Sequence, residues 1–233
     1  MSIRKIIAIL KKQIKDTIKN KVVLIQFLMF PMLTVIMDNA VKISGMPENY
    51  FILLFATMYI GMAPLTCMSS IISEEKESDT LRVLMMSNVK AVEYLIGEGI
   101  YVIAACMIGS SVFALQGNYQ GLEFAQFMGI MFVGITTSTV FGAAIGIWSK
   151  NQMAAVSVSV PAMMVLAFVP MIAMFNESVE KYAGFLYTEQ LNYLINNFTT
   201  VSIDGGRILI ITANALFAIC LFIVAYRKRG LLA

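Results

Sequence analysis

Ile72-Ser-Glu-Glu-Lys-Glu-Ser-Asp-Thr-Leu-Arg-Val-Leu-Met-Met-Ser-Asn-Val-Lys-Ala-Val-Glu93 decides how this chain folds. It packs four acidic residues, Glu74, Glu75, Glu77 and Asp79, into six positions, and it lies between two long apolar runs. A stretch of that polarity belongs in water, so the runs on either side are separate spans joined at a membrane surface. After the acids, Leu81, Leu84 and Met85 recur at i, i+3, i+4 spacing, which predicts a short amphipathic helix. Ser78, Asp79 or Thr80 can cap its start. A second break at Ser87-Asn88 returns the chain to apolar sequence at Tyr94. A capped surface helix with acids at one end and an apolar stripe suits insertion into a partner's groove; the alternative is an ordinary charged loop.

The rest of the chain agrees with a membrane setting. Of its 233 residues 59% are hydrophobic and 13% charged, and mean hydropathy is +0.79. Soluble domains carry roughly 25% charged residues, so too few are present here to cover a water-facing surface. Six apolar spans are expected, at about 22–41, 50–72, 95–116, 124–148, 152–175 and 207–226, each near the roughly 20 residues a crossing needs. The fold expected is an all-α integral membrane protein, one domain over 1–233. With an N-terminus on the cytoplasmic side, 14 of the 17 basic residues fall on inside segments, and Lys42, Lys181 and Arg207 fall outside. That is the positive-inside bias, and it places both termini in the cytoplasm. An odd number of spans would strand either the N-terminal lysines or Arg227-Lys228-Arg229 on the wrong side.

Residues 2–20 read as a basic amphipathic helix at the membrane interface: Ile6, Leu10, Ile14 and Ile18 repeat every four residues, and Lys11, Lys12, Lys15 and Lys19 point elsewhere. Lysines recur through to Lys19 with no compact apolar core before a small-residue site, so no cleavable signal is expected. Span one has a charge-free part, Val22 to Met37, that is short for a crossing, and Asp38 is expected at the outer interface. In span four, Gly134, Ser138, Gly142 and Gly146 form a small-residue ridge suited to close helix packing, chiefly within the chain. Pro64, Pro161 and Pro170 can kink their spans. The segment 176–206 mixes Phe185, Leu186, Tyr187, Leu191, Tyr193, Leu194, Ile195 and Phe198 with polar residues. It is expected to form one or two short helices on or dipping into the outer leaflet, with aromatics at headgroup level.

Several chemistries lack their residues. There is no histidine, which removes the commonest general base and metal ligand. Cys67, Cys106 and Cys220 lie in apolar runs without metal-ligand spacing and read as buried free thiols. Thr136, Thr137, Ser138 and Thr139 read as helix-packing hydroxyls. No phosphate-cradling Gly-x-x-x-x-Gly-Lys-Ser/Thr sequence occurs. The span centres hold no Asp, Glu, Lys or Arg, which counts against an ion-coupled secondary transporter. Glu98, with Glu93 before it, is expected as an interfacial charge near the start of span three.

Glu75-Lys76-Glu77-Ser78-Asp79-Thr80-Leu81-Arg82-Val83-Leu84, then Ser87-Asn88-Val89, then Glu93-Tyr94-Leu95-Ile96-Gly97, resembles the signature of ATP-binding-cassette (ABC) type-2 permeases. Their usual form is Glu-Lys-Glu-x-Gly-Thr-Leu-Glu-x-Leu, Ser/Thr-Pro-Val, and Glu-x-x-x-Gly-Lys. This chain has Asp79 for Gly, Asn88 for Pro and Glu98 for Lys; the first two suit turns as well, and the third reverses a charge. The motif covers about 24 residues, and the architecture resembles the family throughout. The resemblance implies the transmembrane subunit of an exporter in a bacterial cytoplasmic membrane, not itself an enzyme. It implies a second permease copy or paralogue as dimer partner, and separate ATPase subunits that hold ATP and Mg. No cofactor or nucleic acid is expected on this chain. The ATPase-subunit contact carried over is Glu74, Glu75, Glu77, Thr80, Leu81, Leu84 and Met85, within a coupling segment 73–93 whose coupling helix is Thr80 to Met86. The compact size implies an antimicrobial peptide, drug or lipid-like cargo; a sodium exporter, a secondary transporter and a non-transporting scaffold remain the alternatives.

Overall fold

A computed structural model describes residues 3–19, 21–41, 47, 49–197 and 204–231. The described residues form ten helices: α1 (Ile3–Lys19), α2 (Lys21–Ala40), α3 (Tyr50–Glu77), α4 (Thr80–Met86), α5 (Ala91–Gln116), α6 (Leu122–Trp148), α7 (Gln152–Ala173), α8 (Glu177–Ala183), α9 (Tyr187–Asn197) and α10 (Gly205–Arg229). Six of them, α2, α3, α5, α6, α7 and α10, are long and apolar enough to cross a membrane. They coincide with the six expected spans. Of the outlying residues in the sequence reading, Lys42 and Phe198 lie outside the described residues.

The helix α3 is the axis of the bundle, packed by α2, α5, α6, α7 and α9. At 1.5 Å per residue its 28 residues reach about 42 Å, beyond the roughly 30 Å of a hydrocarbon core. The helix therefore has length to spare beyond such a layer, and its last turns hold Glu74 to Glu77. The small-residue ridge of α6 lies on α3, as the chain-internal reading expects. Ser138 Oγ donates to the Ile60 carbonyl at 2.5 Å, and a Cβ at Gly142 would collide with the Leu65 carbonyl oxygen. Both α3 and α7 run through Pro64, Pro161 and Pro170 without a break. Cys67 and Cys106 are buried, but Cys220 is exposed, because α10 is a peripheral span with most of its surface uncovered.

Helix α1 differs from its expected stripe. Ile6, Ile9, Gln13 and Thr17 face the protein, and Ile14 and Ile18 join Ile3 and Ile7 on an exposed face. A strict four-residue repeat drifts about 40° per step around a 3.6-residue helix, so Ile6 and Ile18 cannot share one contact. The lysines fill the remaining arc.

The segment after α7 forms two short helices as expected, and α9 packs into the bundle. Tyr187, Leu191 and Ile195 are buried among the spans. The Tyr187 hydroxyl lies 2.6 Å from Ser138 Oγ, beside Ile60, ten residues and about 15 Å along α3 from Tyr50. Its ring stacks on Phe141 at 6.0 Å, so Tyr187 is a core residue and does not stand on the surface. Several of the polar groups that burial would penalise are paired: Thr57 donates to Asn192 at 3.1 Å, Gln190 to the Gly184 carbonyl at 2.6 Å, and Arg207 to Gln190 at 2.8 Å; the Thr188 hydroxyl is buried without a partner among the described residues. At that same end Gln116 donates to Asp38 at 3.2 Å, between the ends of α5 and α2.

Candidate functional site at the basic end

The opposite end gathers α1, the end of α3, α4 and the starts of α5 and α7. Three consecutive residues of the acidic segment reach three different elements. Glu75 pairs with Lys12 of α1. The Lys76 ammonium donates to the Ile147 and Ser149 carbonyls, both at 2.8 Å, at the α6 terminus, where free carbonyls and the helix dipole favour a cation. The Glu77 carboxylate accepts the Gln152 N–H at 2.8 Å at the α7 start, where the dipole favours an anion. The end of α3 is thereby tied to α1, α6 and α7 at once.

Two left-handed residues then frame α4. Asp79 has φ 55° and Asn88 φ 62°, a region L residues visit reluctantly and Asp and Asn tolerate best. Asp79 thus suits a position where the resembling family has Gly. Asn88 does not reproduce a proline geometry: a pyrrolidine ring fixes φ near −65°, so the expectation that this departure leaves the turn unchanged is corrected. Lys5 holds the turn from α1, donating to the Asn88 carbonyl and lying 3.8 Å from Glu93. The Lys90 N–H donates to Glu93 at 3.1 Å and closes the start of α5.

Between those turns α4 presents two faces. Leu81 is 1% exposed, and Leu84 and Met85 are half-buried against the bundle. Arg82 is exposed, with Val83 at 60% and Met86 at 80%. Of the seven expected contact residues, Glu75 and Leu81 are buried, Glu74, Thr80, Leu84 and Met85 are partly covered, and Glu77 is exposed. The i, i+3, i+4 stripe is the anchoring face. The residues that the sequence reading passed over, Arg82, Val83 and Met86, are its complement on the same helical wheel.

Helix α1 lies against α5 because Gly97 allows it: a Cβ there would sit 2.9 Å from Ile9 Cγ2. Further along, the Tyr101 hydroxyl donates to Thr17 at 2.5 Å. This cover changes the place of Glu98, which is 0% exposed. Both of its carboxyl oxygens are buried without a hydrogen-bond partner among the described residues, beside Tyr94 and Glu75. Glu98 is therefore enclosed by protein, where the sequence pattern leaves it an exposed charge near a helix start. Position in the sequence put it near a helix start, and α1 folding over that start put it inside. A polar cleft of about 330 Å³ opens beside this cluster, with Lys12, Asp16, Lys19, Glu74, Glu75 and Thr80 on its walls.

These side chains pair, cap and anchor, and they make a surface joined to several spans. Comparison of the sequence with protein-family models and with curated proteins finds no match.

Proposed function

We propose that this chain is the membrane-spanning permease subunit of an ABC exporter, with ATP hydrolysis on separate subunits that dock at the basic end. The observation that carries the reading is the mounting of α4. It offers Arg82, Val83 and Met86 outward, and it is continuous with α3 and α5 through two framed turns. The end of α3 is tied to α1, α6 and α7 through Glu75, Lys76 and Glu77. A load on α4 reaches most of the bundle. The docking face within segment 73–93 is then Glu77, Ser78, Asp79, Arg82, Val83 and Met86, with Leu81, Leu84 and Met85 as the root of the lever.

The remaining features accord with this. An exposed Ile3, Ile7, Ile14 and Ile18 face beside the α1 lysines suits a helix lying in the headgroup plane. The positive-inside bias puts α4 and both termini on the cytoplasmic side of a bacterial plasma membrane. The exposed apolar faces of α2 and α7 suit lipid and a second permease copy. A hydrophobic or amphipathic cargo, such as an antimicrobial peptide, drug or lipid-like molecule, fits walls of this composition. The test is ATP-dependent cargo uptake into inverted vesicles holding the chain and an ATPase subunit. ATP hydrolysis by the purified chain alone, or full transport by a Val83→Asp/Met86→Asp variant, would sink the proposal.

Glu98 favours one second reading. A carboxyl enclosed within a bundle of spans is also a feature of ion-coupled pathways, so transport driven by a proton or sodium gradient is the rival. Uptake that persists without ATP and stops in Glu98→Gln would decide for it.

A further inference from the structure

Three cations from two helices converge on the end of α6. The Lys76 ammonium of α3 donates at 2.8 Å to both the Ile147 and the Ser149 carbonyl. Those bonds use two of its three N–H donors and leave the third uncommitted among the described residues. Lys228 Nζ and Arg229 Cζ of α10 stand 5.9 Å and 5.7 Å from the centre of the Trp148 ring, within cation–π range. Arg229 is also close enough to Lys76 for the two like charges to act on each other. None of the three has an ion-pair partner among the described residues. The acids on either side of Lys76 are turned elsewhere, Glu75 to Lys12 and Glu77 to the Gln152 N–H. Like charges gathered without an acid raise the affinity of the place for an anion.

An apolar cleft of about 150 Å³ opens at these same residues, between α6, α7 and α10. Trp148 and Ser149 line it at the basic end, with Ala144, Val158, Leu221 and Ala225 on its other walls. The ring that carries two of the cations and the residue whose carbonyl holds the third are thus both walls of one cleft. Val158 and Leu221 are exposed, so the cleft is open on the lateral surface of the spans, where lipid lies. From Ala144 to Ser149 it runs about 7.5 Å at 1.5 Å per residue, a quarter of the roughly 30 Å hydrocarbon core. That depth suits the first carbons of one acyl chain, next to a headgroup, and Trp is a residue type that settles at that level.

We propose that Lys76, Lys228 and Arg229 hold the phosphate of an anionic phospholipid, with the head-proximal part of one acyl chain seated in the α6–α7–α10 cleft. A helix of a second copy does not fit there. Spread over about 7.5 Å, the cleft's volume gives a mean cross-section of roughly 20 Å², about a quarter of that of a helix 10 Å across. The inference needs the spans to lie in a membrane and does not rest on the transport reading.

The full chain is purified in neutral detergent and titrated with phosphatidylglycerol or phosphatidylcholine of matched acyl length, and native mass spectrometry counts the lipids retained. One phosphatidylglycerol per chain, kept in preference to phosphatidylcholine, is the expected result. Lys228→Gln/Arg229→Gln lowers that preference by about fivefold per cation, and added salt erodes it. Arg4→Gln/Arg227→Gln removes the same charge from exposed positions outside the cluster and leaves the preference nearly unchanged. Leu221→Trp fills the cleft from α10 and lowers retention of both lipids; Val158→Trp does the same from α7 and covers the case in which the first variant fails to fold. Equal retention of the two lipids by the native chain overturns the proposal. So does an equal loss of preference in the two glutamine variants, which would reduce the site to a diffuse basic belt, or undiminished retention in both filled variants.

Discussion

The two ends of this bundle are closed by opposite chemistries. At the basic end the closure is ionic: Lys12 on Glu75, Lys5 on Glu93, and Lys76 and Glu77 on helix termini. At the far end it is mainly neutral: α9 enters the bundle and pairs hydroxyls and amides, Tyr187 with Ser138 and Asn192 with Thr57, and the charged groups there, Arg207 and Asp38, meet neutral amides. Long charged side chains can reach across from a surface, so the basic end keeps its backbone outside and leaves α4 in the open. Short neutral groups must come to their partners, so the far end draws its backbone inward. One end keeps its backbone on the surface, where the proposed partner would grasp it, and the other is plugged.

The plug is the easier to break. Tyr187→Ala removes a fully buried ring and its stacking on Phe141, and we expect a loss of about 3–5 kcal/mol. The loss is read as a fall in the unfolding midpoint of the detergent-purified chain. An unchanged midpoint would mean that α9 lies outside the bundle, and the contrast between the ends would vanish. The ionic end should break somewhat less. Lys12→Ala leaves Glu75 enclosed without its cation, which costs about 3 kcal/mol, at the low end for such pairs because Lys12 keeps 28% of its side chain exposed. Lys12→Met/Glu75→Met should recover most of that stability. A double variant no better than the single one would show that the pair is not the closure.

How much of this contrast could be read in advance follows from the kind of signal each part carries. Six spans were legible because each is a run of apolar residues, and a run needs no partner to be recognised. The α6 ridge was legible because Gly134, Ser138, Gly142 and Gly146 mark a close approach by their size. The burial of α9 was not: its mixture of aromatics and amides is the same for a helix at a headgroup layer and for one whose amides find partners inside. Glu98 was misplaced for a related reason, since its cover comes from α1, some 80 residues earlier. Lys12 in turn looked like one lysine among many until Glu75 faced it. Pattern along the chain locates elements, and pairing across the chain decides which polar groups lie inside.

Smaller changes sharpen the basic end. Gly97→Val pushes a branched side chain into Ile9 and should cost about 2 kcal/mol as α1 shifts off α5; a cost confined to the few tenths expected of an exposed site would mean that α1 is loosely held. Asn88→Pro tests the turn after α4. Proline cannot hold φ 62°, and it removes the N–H that donates to the Met85 carbonyl at 3.0 Å. A loss of more than about 1 kcal/mol is expected. A neutral or stabilising outcome would instead show that the turn can adopt the proline geometry of the resembling family.

The smallest effect on stability is expected at the surface of the proposed docking. Val83 and Met86 stand on the outer face of α4, and Leu81 holds the opposite face against the bundle. Val83→Asp/Met86→Asp removes no buried contact, so the unfolding midpoint should stay within about 0.5 kcal/mol equivalent of the native chain. Leu81→Asp buries a charge and should not share that tolerance. The two variants therefore separate anchoring from docking on one seven-residue helix. If α4 is the grasped part, the outer-face variant loses co-purification with the ATPase subunit while its own stability is intact. Were the outer-face variant to unfold, α4 would be part of the core. Were it to keep both its stability and its partner, the exposed apolar pair would have no part in docking, and the lever would have to be engaged through Glu77 and Asp79 instead.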